Sequence, residues 1–393
     1  MVGARKETNR YLLSLLSNRP PSFPAEIPST ELWQELYGRA EQHRVAPLVY
    51  WKLRQGQSVI PSSVFDRFKH SYLTTLARNR VLLAELDRIV QLLVPLGVQV
   101  VLLKGMVFVR TLYEDIGLRP MSDLDILLHK GDIPKAVWIL KQNGYEEPIL
   151  HQSELLKQDV THDVHLRQTQ PPYLDLEVHW LLVSGERFRH KTDMDWFWRR
   201  IMPLQGWQEG VYTLSPVAHL LYLCGHLGYQ HGLGTIGLLW LVDIARFLKK
   251  YEAQIDWEDF VVGAKHLSWS AAAYYTFRQV QKYLFQSPPT SVMERLRLQM
   301  TAEEEKHVLS MSVVAPSRVL FAWKQFQQLD NAARVRNIVG RLFPSLAFMR
   351  ERYGFRSNWQ AILGYPVRWA DLTQVFLKYL WSKAKGKPKS LTD

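Results

Sequence analysis

The chain has 393 residues, 47% of them hydrophobic, and a formal charge of +12. That length can bury a sizeable core in two or three units, and a single cysteine, Cys224, excludes an intrachain disulfide and any multi-cysteine zinc site. The polar start MVGARKETNR lacks a secretory pattern, and His219, His226, His231 and Asp243 interrupt the most apolar stretch, so no export signal or membrane span is expected and a cytoplasmic setting is.

Apolar spacing predicts helices over 7–18 and 30–54, then a long amphipathic helix over 61–96 that breaks at Gly97. The run VQVVLL (98–103) is short and β-branched and reads as a buried strand closed by Lys104-Gly105. Residues 106–115 read as helix, and SDLDILLH (122–129), alternating acid and aliphatic, as a second strand. IPKAVWILKQNGY is a helix ended by Gly144, and residues 155–168 and 173–183 read as a strand pair joined by QTQPP. Beyond Asp193 the expectation is helix to the end, with breaks at 286–289, Pro316, Pro344 and 364–366. No internal repeat is visible. The expected organisation is an N-terminal helical segment (1–97), a small α/β core (98–192) and a larger helical domain (193–393) with a basic end. From residue 311 onward there are 14 Lys and Arg against 4 Asp and Glu. Such a surface favours polyanions, whether nucleic acid, nucleotides or an acidic membrane face; the plain alternative is a solubilising helical surface.

On a strand, alternate side chains share a face, so Asp123 and Asp125 point together while Leu124, Ile126 and Leu128 enter the core. Two carboxylates so close raise each other's pKa unless a cation lies between them, and an oxygen-rich, charge-dense site suits magnesium. In YLDLEVHWLL, Asp175, Glu177 and His179 share one face. If that strand lies beside the first, a third carboxylate joins the pair, and three can hold two magnesium ions for in-line phosphoryl chemistry. Upstream, the order strand, Lys104-Gly105, helix supplies an anion site through free N–H groups, the helix dipole and the lysine charge. Arg119 adds a fork of donors, and Ser122 completes the candidate nucleotide contacts.

At these residues the sequence resembles the nucleotidyltransferase-fold superfamily that includes DNA polymerase beta. More closely, it resembles the bacterial group called the uncharacterised nucleotidyltransferase family. The likeness runs through AEQHRVAPLVY, VVLLKG, LYEDIGLRPMSDLDILL, GYEEP, LEVHW, LSPVAHLLYLCGHLGYQH, WLVDIARFL and RLFPS. It implies an α+β fold, with a small mixed-sheet nucleotidyltransferase core flanked by N-terminal helices and a larger C-terminal helical domain. It also implies magnesium-dependent transfer of a nucleoside monophosphate from a triphosphate such as ATP to an acceptor, with release of pyrophosphate. Asp123 and Asp125 match the paired metal aspartates and Glu177 the third acid, with Asp175 in reserve. The glycine of the superfamily, ordinarily followed by serine or glycine, is here Gly105, preceded by Lys104 and followed by Met106. The acceptor, a small molecule, protein or RNA, is not identified. The altered glycine motif and the basic C-terminal region motivate an alternative: a catalytically silent nucleotide- or nucleic-acid-binding protein on the same fold.

Other residues read more plainly. His162 and His165 in THDVHL fall on opposite faces of a strand and are not expected to share a metal. His219 and His226, seven apart, read as core histidines bonded to carbonyls. His179 either orients Glu177 or is structural. Asp243 and Arg246 are placed to pair at i,i+3; the resemblance implies the two as a wall of the nucleotide pocket. The tryptophans mostly read as core.

Overall fold

The computed structural model describes residues 2–17, 29–54, 60–148, 162–183, 192–233, 237–312 and 331–384. Residues 155–161 of the expected strand pair, the break at Pro316 and the tail past 384 lie outside the described residues.

The N-terminal helices are α1 (Val2–Leu16), α2 (Thr30–Gln42), α3 (Ala46–Leu53) and the 32-residue α4 (Ser62–Leu93). The Ser29 hydroxyl caps α2 by accepting from the Leu32 N–H, and Pro47 sits in the first turn of α3, where its missing donor costs nothing. A 3-10 turn over Val94–Leu96 ends in Gly97 at φ 78°, a left-handed cap that reverses the chain into the sheet.

The sheet begins with β1 (Val100–Leu102), α5 (Lys104–Thr111) and β2 (Leu124–Leu127). It continues through α6 (Ile133–Gln142), β3 (Tyr145–Glu146), β4 (Asp163–Gln168) and β5 (Asp175–His179). After the short α7 (Met194–Trp198) come β6 (Ile201–Pro203) and β7 (Val211–Leu214). These two strands correct the expectation of helix beyond Asp193. The order β3-β4-β5-β2-β1-β7-β6 makes β7 an inner strand, parallel to β1 through Val100↔Val211 and Leu102↔Thr213. The sheet therefore continues past residue 192. Strand β2 runs antiparallel to β1 and parallel to β5, so the sheet is mixed. Val100, Val101, Leu102, Leu124, Ile126, Leu176 and Val178 are fully buried, as expected for inner strands covered on both faces.

The helical part comprises α8 (Pro216–Gly225), a π-helix (His226–His231), α9 (Leu238–Tyr251), α10 (Trp257–His266), α11 (Ser270–Leu284), α12 (Thr290–Gln299) and α13 (Ala302–Ser312). Last come α14 (Asn331–Leu342), α15 (Leu346–Tyr353), α16 (Asn358–Leu363) and α17 (Tyr365–Ala384). The fold is thus α+β, with a mixed sheet between helical regions. Trp33, Trp196 and Trp269 are core, as expected; Trp138 and Trp359 are exposed instead.

Candidate active site

Strands β2 and β5 carry the acids. Their parallel register sets Asp125 directly beside Glu177 and Leu127 beside His179. Ligand atoms of Asp125, Glu177 and His179 all lie within 4.8 Å of one another. Asp123 lines the same cleft but falls outside that group, because β2 begins only at Leu124 and the strand alternation does not yet fix its side chain. The expected trio is therefore a close pair plus a neighbour, with His179 as the third close member.

The electrostatics follow from burial and charge. Burial raises the pKa of Asp123, and the like charges of Asp125 and Glu177 raise it further. Burial would also raise Asp125, but Lys104 and His179 hold it well below the usual carboxylate range. Lys104 Nζ lies 3.4 Å and His179 Nε2 3.0 Å from Asp125 Oδ1. Nε2 of His179 is also 3.3 Å from Glu177 Oε2. Burial alone would depress His179, yet its bonds to the two carboxylates lift its pKa to about 9. Lys104 is likewise pulled down by burial and pulled up more strongly by Asp125, Tyr222 and Glu177. It starts α5 at φ 41°, a left-handed conformation that a lysine adopts only under constraint from its surroundings.

Arg119 lies where the sequence puts it, just before β2, but its fork is turned to a protein partner. Its Nη2 and Nε meet Asp243 of α9 at 2.7 and 3.0 Å, both residues being buried. Tyr113 donates a further bond of 2.5 Å to the same carboxylate. Asp243 thus pairs with Arg119 and not with Arg246, which reaches Glu114 at 2.9 Å. Arg119 Nη1 packs against Gly105, where a Cβ would stand 2.3 Å away. The close approach of the guanidinium is therefore one physical reason for glycine at 105. Ser122 is exposed at the cleft rim, and its backbone oxygen accepts from Arg78 of α4 at 2.7 Å.

Asp175 pairs with Arg167 on β4 through bonds of 2.8 and 3.1 Å and is not among the residues that line the cleft. His165 lies 3.7 Å from Asp175, whereas His162 stacks obliquely 5.2 Å from His179, and the two are not in one ligand group among the described residues. His162, Asp163 and His179 form a second group with ligand atoms within 4.8 Å. The expected carbonyl bonds of the His219 and His226 side chains are not found among the described residues. His219 stacks on Phe108 at 4.8 Å, and His226 meets His231 at 3.1 Å between their Nε2 atoms. Burial first, with Lys104 adding, pushes His219 down to about 3, so it packs as a neutral ring.

Several cleft residues were not expected there: the likeness covers His226, Gln230, His231 and Trp240, but the histidines and tryptophan read as core. The π-helix turns His226, Gln230 and His231 into the cleft, and Trp240 of α9 stands 4.5 Å from the His231 ring. Widened turns of this kind occur often at functional sites. Arg44, between α2 and α3 at φ 59°, also lines the cleft and donates to the Pro120 oxygen at 3.4 Å. The likeness through AEQHRVAPLVY covers Arg44, but nothing local marks it as a cleft residue.

An acidic pair, a third acid nearby and cations from three separate elements thus face one cleft. That arrangement suits a phosphate ester held by a divalent ion. No curated protein and no solved structure matches the chain. The model of one family, described as uncharacterised nucleotidyltransferase, matches residues 29–285. That span includes the cleft and the sheet and supports a general role in nucleotidyl transfer. The chain belongs to the uncharacterised nucleotidyltransferase family.

Proposed function

We propose that the protein transfers a nucleoside monophosphate from a magnesium-bound triphosphate to an acceptor hydroxyl. The acceptor oxygen bonds to the α-phosphorus, the bond from that phosphorus to the bridging oxygen breaks, and pyrophosphate leaves. The observation that carries this reading is the Asp125–Glu177 pair, adjacent in register on β2 and β5, with Asp123 in the same cleft. Asp125 and Glu177 would hold the ion, with Asp123 beside them. A bound magnesium ion supplies charge at the transferring phosphoryl group and lowers the pKa of the attacking hydroxyl. His179 fixes the two carboxylates through one nitrogen. Lys104, Arg44 and the Nη1 edge of Arg119 present positive charge to the triphosphate, and the first turn of α5, at Gly105, presents N–H groups. Ser122 lies at the rim on the same side as Asp123.

One feature favours binding without turnover: the Lys104 ammonium is already 3.4 Å from Asp125 and supplies part of the charge an ion would bring. The two readings separate in one experiment. Calorimetry with each triphosphate and magnesium, paired with a pyrophosphate-release assay, is run on the native chain and on Asp125→Asn. Transfer predicts metal-dependent binding and pyrophosphate release, both lost in the variant; binding with no release from any acceptor tried leaves the silent reading. Binding that does not depend on metal overturns transfer, and no triphosphate binding to the native chain with or without metal overturns both.

A further inference from the structure

We infer that residues 331–384 form a docking surface for anionic membranes. The helices of this segment bury a small core of their own. Met349 and Ala361 are fully buried, and Arg368 is buried while donating to the Arg341 oxygen at 3.3 Å. Yet the same helices expose large apolar side chains. Val335 and Val339 are four apart on α14 and share a face that continues to Phe343; Val335 is 61% and Phe343 50% exposed. The Phe343 ring meets the exposed Trp369 ring of α17 at 5.7 Å, so the apolar face spans two helices. On α16, Trp359 and Leu363, again four apart, are 75% and 77% exposed. Scattered exposed apolar residues are ordinary, but the face running through Val335, Val339, Phe343 and Trp369, with a second exposed pair on α16, marks a partner.

Charge identifies that partner. Residues 331–384 carry nine Lys and Arg against two Asp and Glu. Arg350, Arg352 and Arg356 are exposed on or beside α15. Exposed Trp and Phe among aliphatics, within a strongly basic segment, is the composition that settles at the boundary between lipid headgroups and acyl chains. Nucleic acid would engage the arginines and stack on the tryptophans. It would leave Val335, Val339 and Leu363 in water, since phosphates and base faces offer aliphatic side chains little. No helix among the described residues is long and apolar enough to cross a membrane, so the contact is with a surface.

The test is flotation of the full chain with vesicles of phosphatidylcholine alone, or with about one third phosphatidylglycerol. The native chain is expected to float only with the acidic vesicles, and less as salt rises. Trp359→Ala with Leu363→Ala, and separately Arg350→Glu with Arg352→Glu, should each weaken partitioning by about tenfold. Circular dichroism checks that both variants stay folded, and the salt series on the native chain is a test that needs no variant. Absence of flotation overturns the proposal, as does flotation indifferent to Trp359 and Leu363. So does arginine-dependent binding of a labelled oligonucleotide in place of vesicles. Concentration-dependent dimers that bury this face without lipid binding would assign it to a second copy of the chain and likewise overturn the proposal.

Discussion

His179 ties the two close acids together. It is 2% exposed and bridges Asp125 and Glu177 through Nε2, while Nδ1 has no hydrogen-bond partner among the described residues. Its folded pKa, about 9, lies above the ordinary 6.5. The stabilisation from its proton is therefore complete below about pH 6.5 and is lost as pH rises through about 9. Asp125 runs the other way, contributing above the ordinary carboxylate range and losing that contribution in acid. With chelator present, thermal melts should show stability falling between pH 6.5 and 9.5 by on the order of 3 kcal/mol, and His179→Asn should flatten that slope. A slope unchanged in the variant would mean that the proton is held elsewhere. Gly105 gives a second prediction at this scale. Gly105→Ala drives a methyl into Arg119 Nη1, whose other nitrogens are anchored on Asp243, so the guanidinium has little room to move. Overpacking of this kind costs about 1–3 kcal/mol in chemical denaturation.

At the level of elements, the Arg119–Asp243 pair is the link between α9 and the loop that launches β2. Asp243→Ala leaves a buried guanidinium without its carboxylate, and urea unfolding should show a loss of about 3–5 kcal/mol. Arg246→Ala, one turn on and paired with the exposed Glu114, should cost under about 1 kcal/mol. The sequence alone placed these residues on one helix face and paired them with each other, since spacing reports neighbours along a helix and says nothing of what crosses from another element. The same limit explains other misses. Strands β1, β2 and β5 were legible because β-branched runs and acid–aliphatic alternation persist over five or more residues. Strands β6 and β7 are as short as β1 and β2, but Pro203 within β6 and Gly210 just before β7 interrupt any longer run around them, so the stretch looks like loop. The π-helix was read as ordinary buried helix. Its packing is visible only in three dimensions: a Cβ on Gly225 would meet the Trp269 ring at 2.7 Å, and one on Gly228 would meet Ala272 at 2.6 Å. Among the site residues, Asp125 and Glu177 were brought together as the alternation implies. Asp123 preceded the strand and Asp175 found Arg167, so face-sharing alone did not place them.

Across the whole molecule, the site depends on parts far apart in the chain. Arg78 of α4 donates to the Met121 and Ser122 oxygens at 3.1 and 2.7 Å, and its neighbour Asn79 donates to the Ile116 and Arg119 oxygens at 2.5 and 2.8 Å. The loop carrying Arg119 is thus held from one side by the N-terminal helices and from the other by Asp243 of the helical region. The sheet depends on distance in the same way. Without residues past 192, β1 loses its parallel neighbour β7 and becomes an edge whose Val100, Val101 and Leu102 are built for burial. Two fragments make this testable. A chain of residues 98–192 should fail to fold, giving a collapsed amide proton spectrum and no cooperative melt. A chain of residues 1–312 keeps α1–α4, the whole sheet and the π-helix against α11, and should melt cooperatively and retain metal-dependent triphosphate binding. The comparison also separates the two surfaces, because the longer fragment lacks residues 331–384 and should no longer float with acidic vesicles. Cooperative folding of 98–192 would show that β7 and the flanking helices only decorate a self-sufficient core, and the cleft would then have to be rebuilt from β1, β2 and β5 alone.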